Sequence, residues 1–160
     1  MKAQIDKYLG YFLTLLIFVM TADVLWGVFT RYVFNAQADW TEELARFLLI
    51  WIGILGAAYA AGQRMHLAID LLMPKLDAAK QRQLQWVISL LILFFATTVM
   101  VIGGLRLLYI THTLGQLSAA LRIPMTIVYA VLPLSGLLVI YYKLHELMQS
   151  RQNSAHTPSS

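Results

Sequence analysis

The stretch RYVFNAQADWTEELARFLLIWIGILGAAYAAGQRMHLAID, Arg31 to Asp70, decides how the rest of the chain is read. A polar opening with Asp39, Glu42 and Glu43 leads into an apolar run from Leu44 to Gln63, interrupted only by Arg46. A helix needs about 20 predominantly apolar residues to cross about 30 Å of hydrocarbon, so this run is long enough to span a membrane. The stretch also holds half of the chain's 8 acidic residues and half of its 4 tryptophans, Trp40 and Trp51.

Three further runs meet the same length requirement. Tyr8 to Thr30 carries one ionisable residue, Asp23, while Trp86 to Leu105 and Ile123 to Tyr142 carry no charge. The chain is 59% hydrophobic and 12% charged, against about 25% charged in an ordinary soluble domain. Lipid offers backbone groups no water, and none of these runs alternates polar with apolar, so they read as helices and not as barrel strands. The expected fold is an all-α integral membrane protein in one domain, 1–148. Its four transmembrane helices lie near 8–33, 40–63, 84–110 and 124–147, with short amphipathic interfacial helices between them. Residues 149–160 read as a disordered polar tail. The absence of cysteine excludes disulfides, thiolate metal sites and a cysteine nucleophile. The net charge of +4 comes from single basic residues at the edges of apolar runs, which argues against nucleic acid as a partner.

Lys2 and Lys7 precede the first run, and Ala36-Gln37-Ala38 resembles a cleavage site. The run is nevertheless longer than a signal peptide's h-region of about 7–15 residues, so it reads as a retained helix. With the N-terminus inside, Lys2, Lys7, Arg64, Lys75, Lys80, Arg82, Lys143 and Arg151 face the cytoplasm. Arg31, Arg46, Arg106 and Arg122 face outward, so the positive-inside rule places both termini in the cytoplasm. Leu71 to Gln85 and Ile110 to Arg122 mix apolar and charged positions as interfacial helices do. Pro124 suits the first turn of the fourth helix, and Pro133 predicts a kink near Gly136. No internal repeat is visible, so an inverted-repeat transporter contained in this chain is not expected.

Asp23 is the one acid deep in an apolar run, where an ionisable group is costly and usually has a partner or a function. Arg31 shares nearly its face but stands about 12 Å along the axis, too far for direct contact. Asp39 and Glu42 form the spacing of a capping box, with Asp39 as N-cap. Arg46 can pair with Glu42 or Glu43 along the helix, and such a cluster suits a boundary with another subunit. Trp40 and Trp51 are eleven residues apart and share a helix face. Gly53, Ala57 and Ala61, with Gly56 and Ala60, repeat at the four-residue spacing that lets membrane helices approach closely. Gly103-Gly104 offers a candidate groove for them. His66 and Asp70 are four apart after the second helix and fit a loop contact better than a metal site, which would need at least one more ligand. His112 and His145 lie elsewhere and do not make a haem pair. No GxSxG, HExxH or P-loop pattern occurs.

Several residues together resemble the small, Q-type membrane subunit of tripartite ATP-independent periplasmic (TRAP) transporters. They are Arg31-Tyr32-Val33-Phe34-Asn35, Trp40-Thr41-Glu42-Glu43-Leu44-Ala45-Arg46, Trp51, the Gly56-Ala57-Ala58 step and His66 with Ile69-Asp70. The resemblance covers about residues 8 to 145. It implies a non-enzymatic subunit of a bacterial inner-membrane importer, sodium-coupled and carrying an organic acid of the sialic acid or C4-dicarboxylate class. A periplasmic substrate-binding protein would deliver the acid to a large M-type subunit that moves as an elevator and holds the sodium ions. This chain would be its scaffold, with membrane lipids as further partners and no cofactor or metal of its own. Trp40, Glu42, Glu43, Arg46, Trp51, Gly53, Gly56 and Ala57 are then the expected subunit contacts, with Asp23 and Arg31 each a candidate for an intramembrane polar contact. A different class is a small proton-coupled exporter acting as a homodimer through Asp23. A haem or quinone subunit is a third, which the histidine placement disfavours.

Overall fold

The computed structural model describes residues 2–35, 38–63 and 78–155, the side chains of residues 78–80, 82 and 149–155 excepted. Among the described residues four helices are long and apolar enough to cross a membrane, so the chain is an all-α, multi-pass membrane protein. The first is α1, Lys2–Val33, and the second is α2, Asp39–Gly62. The third span joins α3, Ala78–Phe95, through a π-helical stretch at Ala96–Gly103 to α4, Gly104–Thr113. The fourth is split into α5, Met125–Tyr129, and α6, Val131–Ala155. Helical backbone therefore continues past residue 149, where the sequence places the start of the tail. Leu71 to 77, with His66 and Asp70, lies outside the described residues, while 78–85 opens α3 without a break.

The packing order follows from which faces can be covered. α1 lies mainly on α2, α2 lies on α6, and α6 lies on the π stretch of the third span. Leu9, Leu13, Leu55 and Val131 form one buried cluster, and Ala58, Ala96 and Val139 a second. Leu138 packs against both. Many large apolar side chains point outward instead; Phe18 is 71% exposed and Leu90 69%. In water such a surface would drive aggregation, whereas in a bilayer it meets lipid tails or a partner at no hydrophobic cost.

The third and fourth spans interlock where each is irregular. Pro133 has no N–H for the carbonyl four residues back, and its ring crowds that turn. The helix breaks accordingly at Ala130, and the bond from Leu134 N–H to the Ala130 carbonyl stretches to 3.4 Å. The break sits toward the N-terminus of the proline, not near Gly136 as its position in the sequence suggests. Gly136 has a different task. A Cβ there would lie 2.8 Å from Met100 Cβ and 3.0 Å from Val101 Cγ2, both in the π stretch. Gly104 is pressed in the same way by Pro133, its Cβ position 2.9 Å from Pro133 Cδ.

Between these spans, the interfacial helix expected over Ile110 to Arg122 is absent. α4 stops at Thr113 because Gly115 turns left-handed, at φ 58°. Gly115 N–H then donates to the His112 carbonyl and Gln116 N–H to the Thr111 carbonyl, which satisfies the orphan carbonyls at the helix end. Residues 116–125 fold back as a short hairpin. Leu117 bridges Pro124, Ser118 N–H donates to the Ile123 carbonyl, and Met125 N–H donates to the Gln116 carbonyl. Pro124 caps α5 from the position just before it.

Gly136→Ala should lower the melting temperature of the purified chain, because the added methyl overpacks the crossing at a cost of about 1–3 kcal/mol. Gly53→Ala, whose Cβ meets nothing within 4 Å, should leave it unchanged. Equal melting of the two variants would mean that the Gly136 crossing does not form.

Candidate subunit-contact face

α2 begins one residue earlier than its capping pattern suggests. Ala38 occupies the N-cap with extended backbone (φ −73°, ψ 117°) and no side chain closes the cap. Asp39 is the first helical residue, not the cap. The chain's extended entry ends at Ala38, so the carboxylate of Asp39 stands inside the first turn. Asp39 and Glu42 still suit the positive end of the helix dipole there. Thr41, next in the turn, is buried and donates from its hydroxyl to the Ala38 carbonyl at 2.8 Å.

Glu43 does something the local pattern does not announce. Its carboxylate accepts three backbone N–H groups from the hairpin loop: Ala119 at 2.9 Å, Ala120 at 2.8 Å and Leu121 at 2.8 Å. These donors lie 76 to 78 residues away in sequence. Three successive amides in a turn have no hairpin partner, and an ionised carboxylate is an acceptor with room for all of them. Arg122, just beyond, is held in the left-handed region at φ 54°. Such charge-assisted bonds outweigh an exposed pair along a helix, worth about 0.3–0.5 kcal/mol. Among the described residues no ion pair joins Arg46 to Glu42 or Glu43, and Arg46 is exposed. The expected ion-paired cluster is thus replaced by a clasp from Glu43 to the hairpin.

The remaining predicted contacts divide between inside and outside. Trp51 turns toward α1 and meets Phe12 edge-on, with ring centroids 6.3 Å apart. Trp40 stays 39% exposed. Gly53 and Ala57 are exposed and Gly56 partly so, and a Cβ at either glycine would meet nothing within 4 Å. This strip of α2 backbone is open. Gly104 does not complement it, being occupied by Pro133.

Asp23 lies on the α1 face turned toward the bundle, 6% exposed, with neither carboxylate oxygen hydrogen-bonded among the described residues. No ion pair joins it to Arg31. At the opposite end of the bundle, Tyr142 donates its hydroxyl to Asp6 at 2.6 Å, and Lys2 stands 5.9 Å from the centre of the Tyr142 ring. Lys143 is buried and pairs with Glu146 at 2.8 Å. The Tyr142–Asp6 contact leaves no local trace in sequence, since the two residues are 136 positions apart. Among the described residues no group of three or more histidines or acids could hold a metal ion.

The fold and face define a multi-pass membrane protein built from packing surfaces, with an open backbone strip on its second span. Residues 20–153 match the tripartite ATP-independent periplasmic transporters, DctQ component, and the chain belongs to that family. That family is a component of transporters. The chain is 35% identical over 129 residues to the isethionate TRAP transporter permease protein DctMQ of Oleidesulfovibrio alaskensis, covering 78% of this chain and 20% of that one. A putative TRAP transporter small permease protein of Haemophilus influenzae is 32% identical over 89 residues, 56% of this chain and 55% of that protein. The C4-dicarboxylate TRAP transporter small permease protein DctQ of Rhodobacter capsulatus is 29% identical over 102 residues, 64% of this chain and 44% of the other. The chain thus spans between a fifth and about half of the length of these relatives.

Replacing Glu43 with alanine should free the three loop amides, speeding hydrogen exchange at residues 119–121 and lowering the melting temperature by several degrees. Glu43→Gln, with one acceptor oxygen left, should fall between. Arg46→Ala should leave both readouts unchanged; if it matched Glu43→Ala, the clasp would not be the principal tie.

Proposed function

We propose that this chain is the scaffold subunit of a sodium-coupled importer in the bacterial inner membrane, with both termini in the cytoplasm. A periplasmic binding protein delivers an organic acid of the sialic acid or C4-dicarboxylate class to a large M-type subunit, which carries the sodium ions and moves as an elevator. This chain, with no cofactor of its own, packs against the fixed part of that subunit and widens it in the membrane. The single observation that carries the reading is the open strip at Gly53, Gly56 and Ala57, where α2 offers bare backbone for close approach by another helix. The relation to DctMQ supports it, since there this chain's counterpart is about a fifth of one longer permease polypeptide. Other relatives are named for ectoine and for sialic acid. Such variety suits a subunit that leaves the choice of substrate to its partners.

Co-expression with neighbouring reading frames and purification in mild detergent tests this. The expected result is a stoichiometric large membrane protein that is lost with Gly53→Leu but kept with Gly53→Ala. Arg46→Glu should lower the yield of complex more than Arg46→Ala, because a reversed charge is harder to bury at a boundary than a truncated one. Full transport by the large subunit in a strain lacking this chain would overturn the scaffold role. A homodimer alone, with transport abolished by Asp23→Asn, would favour the exporter.

A further inference from the structure

Where α1 ends and α2 begins, a half-open pocket of about 170 Å³ lies between the two helices. Its walls include the aliphatic side chains of Val24, Val28 and Ala45, and Val24 and Val28 are still 47% and 48% exposed. One exposed cation, Arg31, and one exposed anion, Glu42, also line it. No ion pair joins these two among the described residues, so each retains its capacity for charge-assisted bonding. The level is that of a membrane–water boundary, because Trp26, Phe29, Tyr32 and Trp40 expose their rings around this end of the bundle.

An apolar slot with a separated cation and anion at its mouth complements a lipid chain carrying a zwitterionic head. An anionic glycerol headgroup would satisfy Arg31 but leave Glu42 facing a second negative charge. A choline headgroup neutralises both but offers Glu42 no N–H. Phosphoethanolamine supplies a phosphate for the guanidinium fork and, across a short ethylene linker, an ammonium rich in donors for the carboxylate. We propose that this cleft is a binding site for phosphatidylethanolamine. The phosphate rests on Arg31, the ammonium on Glu42, and the upper acyl chain on Val24, Val28 and Ala45. The site needs only a membrane-spanning chain and stands apart from the scaffold reading.

The test is native mass spectrometry of the full-length chain, alone and co-purified with its large subunit, after delipidation and titration with three lipids of identical acyl chains. Phosphatidylethanolamine should be retained about tenfold better than phosphatidylcholine or phosphatidylglycerol, the size expected for one lost charge-assisted contact. Glu42→Ala should erase that ranking, whereas Arg31→Ala, which removes the contact to the shared phosphate, and Ala45→Leu should each weaken all three lipids together. Should Ala45→Leu fail to fold, the ranking on the unaltered protein decides. Equal retention of the three lipids would overturn the proposal, as would a ranking that survives Glu42→Ala. So would an adduct present on the free chain but absent from the complex, which would assign the cleft to the partner subunit.

Discussion

A bilayer gives a backbone amide nothing to bond with, and the irregularities of the third and fourth spans are shaped by that constraint. Straight helices meet it by closing their own hydrogen bonds. The third and fourth spans are not straight, and they meet it by lying against each other where each departs from regularity. The π stretch at Ala96–Gly103 faces Gly136, and Pro133 fills the space that Gly104 leaves. Disordered backbone exposed to lipid at that depth would be costly, so the two irregular segments shield one another within the protein.

Near the membrane surface the same requirement is met by a side chain. The hairpin at residues 116–125 leaves three amides over, and Glu43 reaches from the start of α2 to take all of them. Opposite, Tyr142 and Asp6 join the fourth span to the first. The bundle is therefore tied at both ends by polar contacts. Its middle is held by a thin apolar core around Leu55, Val131 and Leu138. What remains open, the Gly53–Ala57 strip and the outward aromatic surface of α1, is what a membrane partner or lipid can cover.

The four spans were legible because a run of about 20 apolar residues needs no tertiary knowledge to interpret. Side-chain ties across the bundle were not, because nothing near Glu43 or Tyr142 in the chain points to residues 76 or 136 positions away. Two local patterns misled for identifiable reasons. An acid at Asp39 fits the N-cap and the first helical position equally well, and only the extended backbone at Ala38 separates them. The amphipathic spacing from Ile110 to Arg122 continues past Gly115, a helix-ending signal that outweighs it. Pro133 was readable as a break, but which turn yields depends on the carbonyl side of the ring. The Gly53, Gly56 and Ala57 spacing marked a strip that the chain itself leaves bare. The spacing of Trp51 did not show that its ring would turn inward to Phe12.

The bond between Asp6 and Tyr142 also orders events in time. Translation at about 5–20 residues per second separates the synthesis of these two positions by on the order of ten seconds. Through that interval Asp6 has no Tyr142 to bond and the first span has no fourth span to close against. The newborn chain thus lacks this tie until its fourth span enters the bilayer, and the aspartate–tyrosine bond records that the first and fourth spans have met.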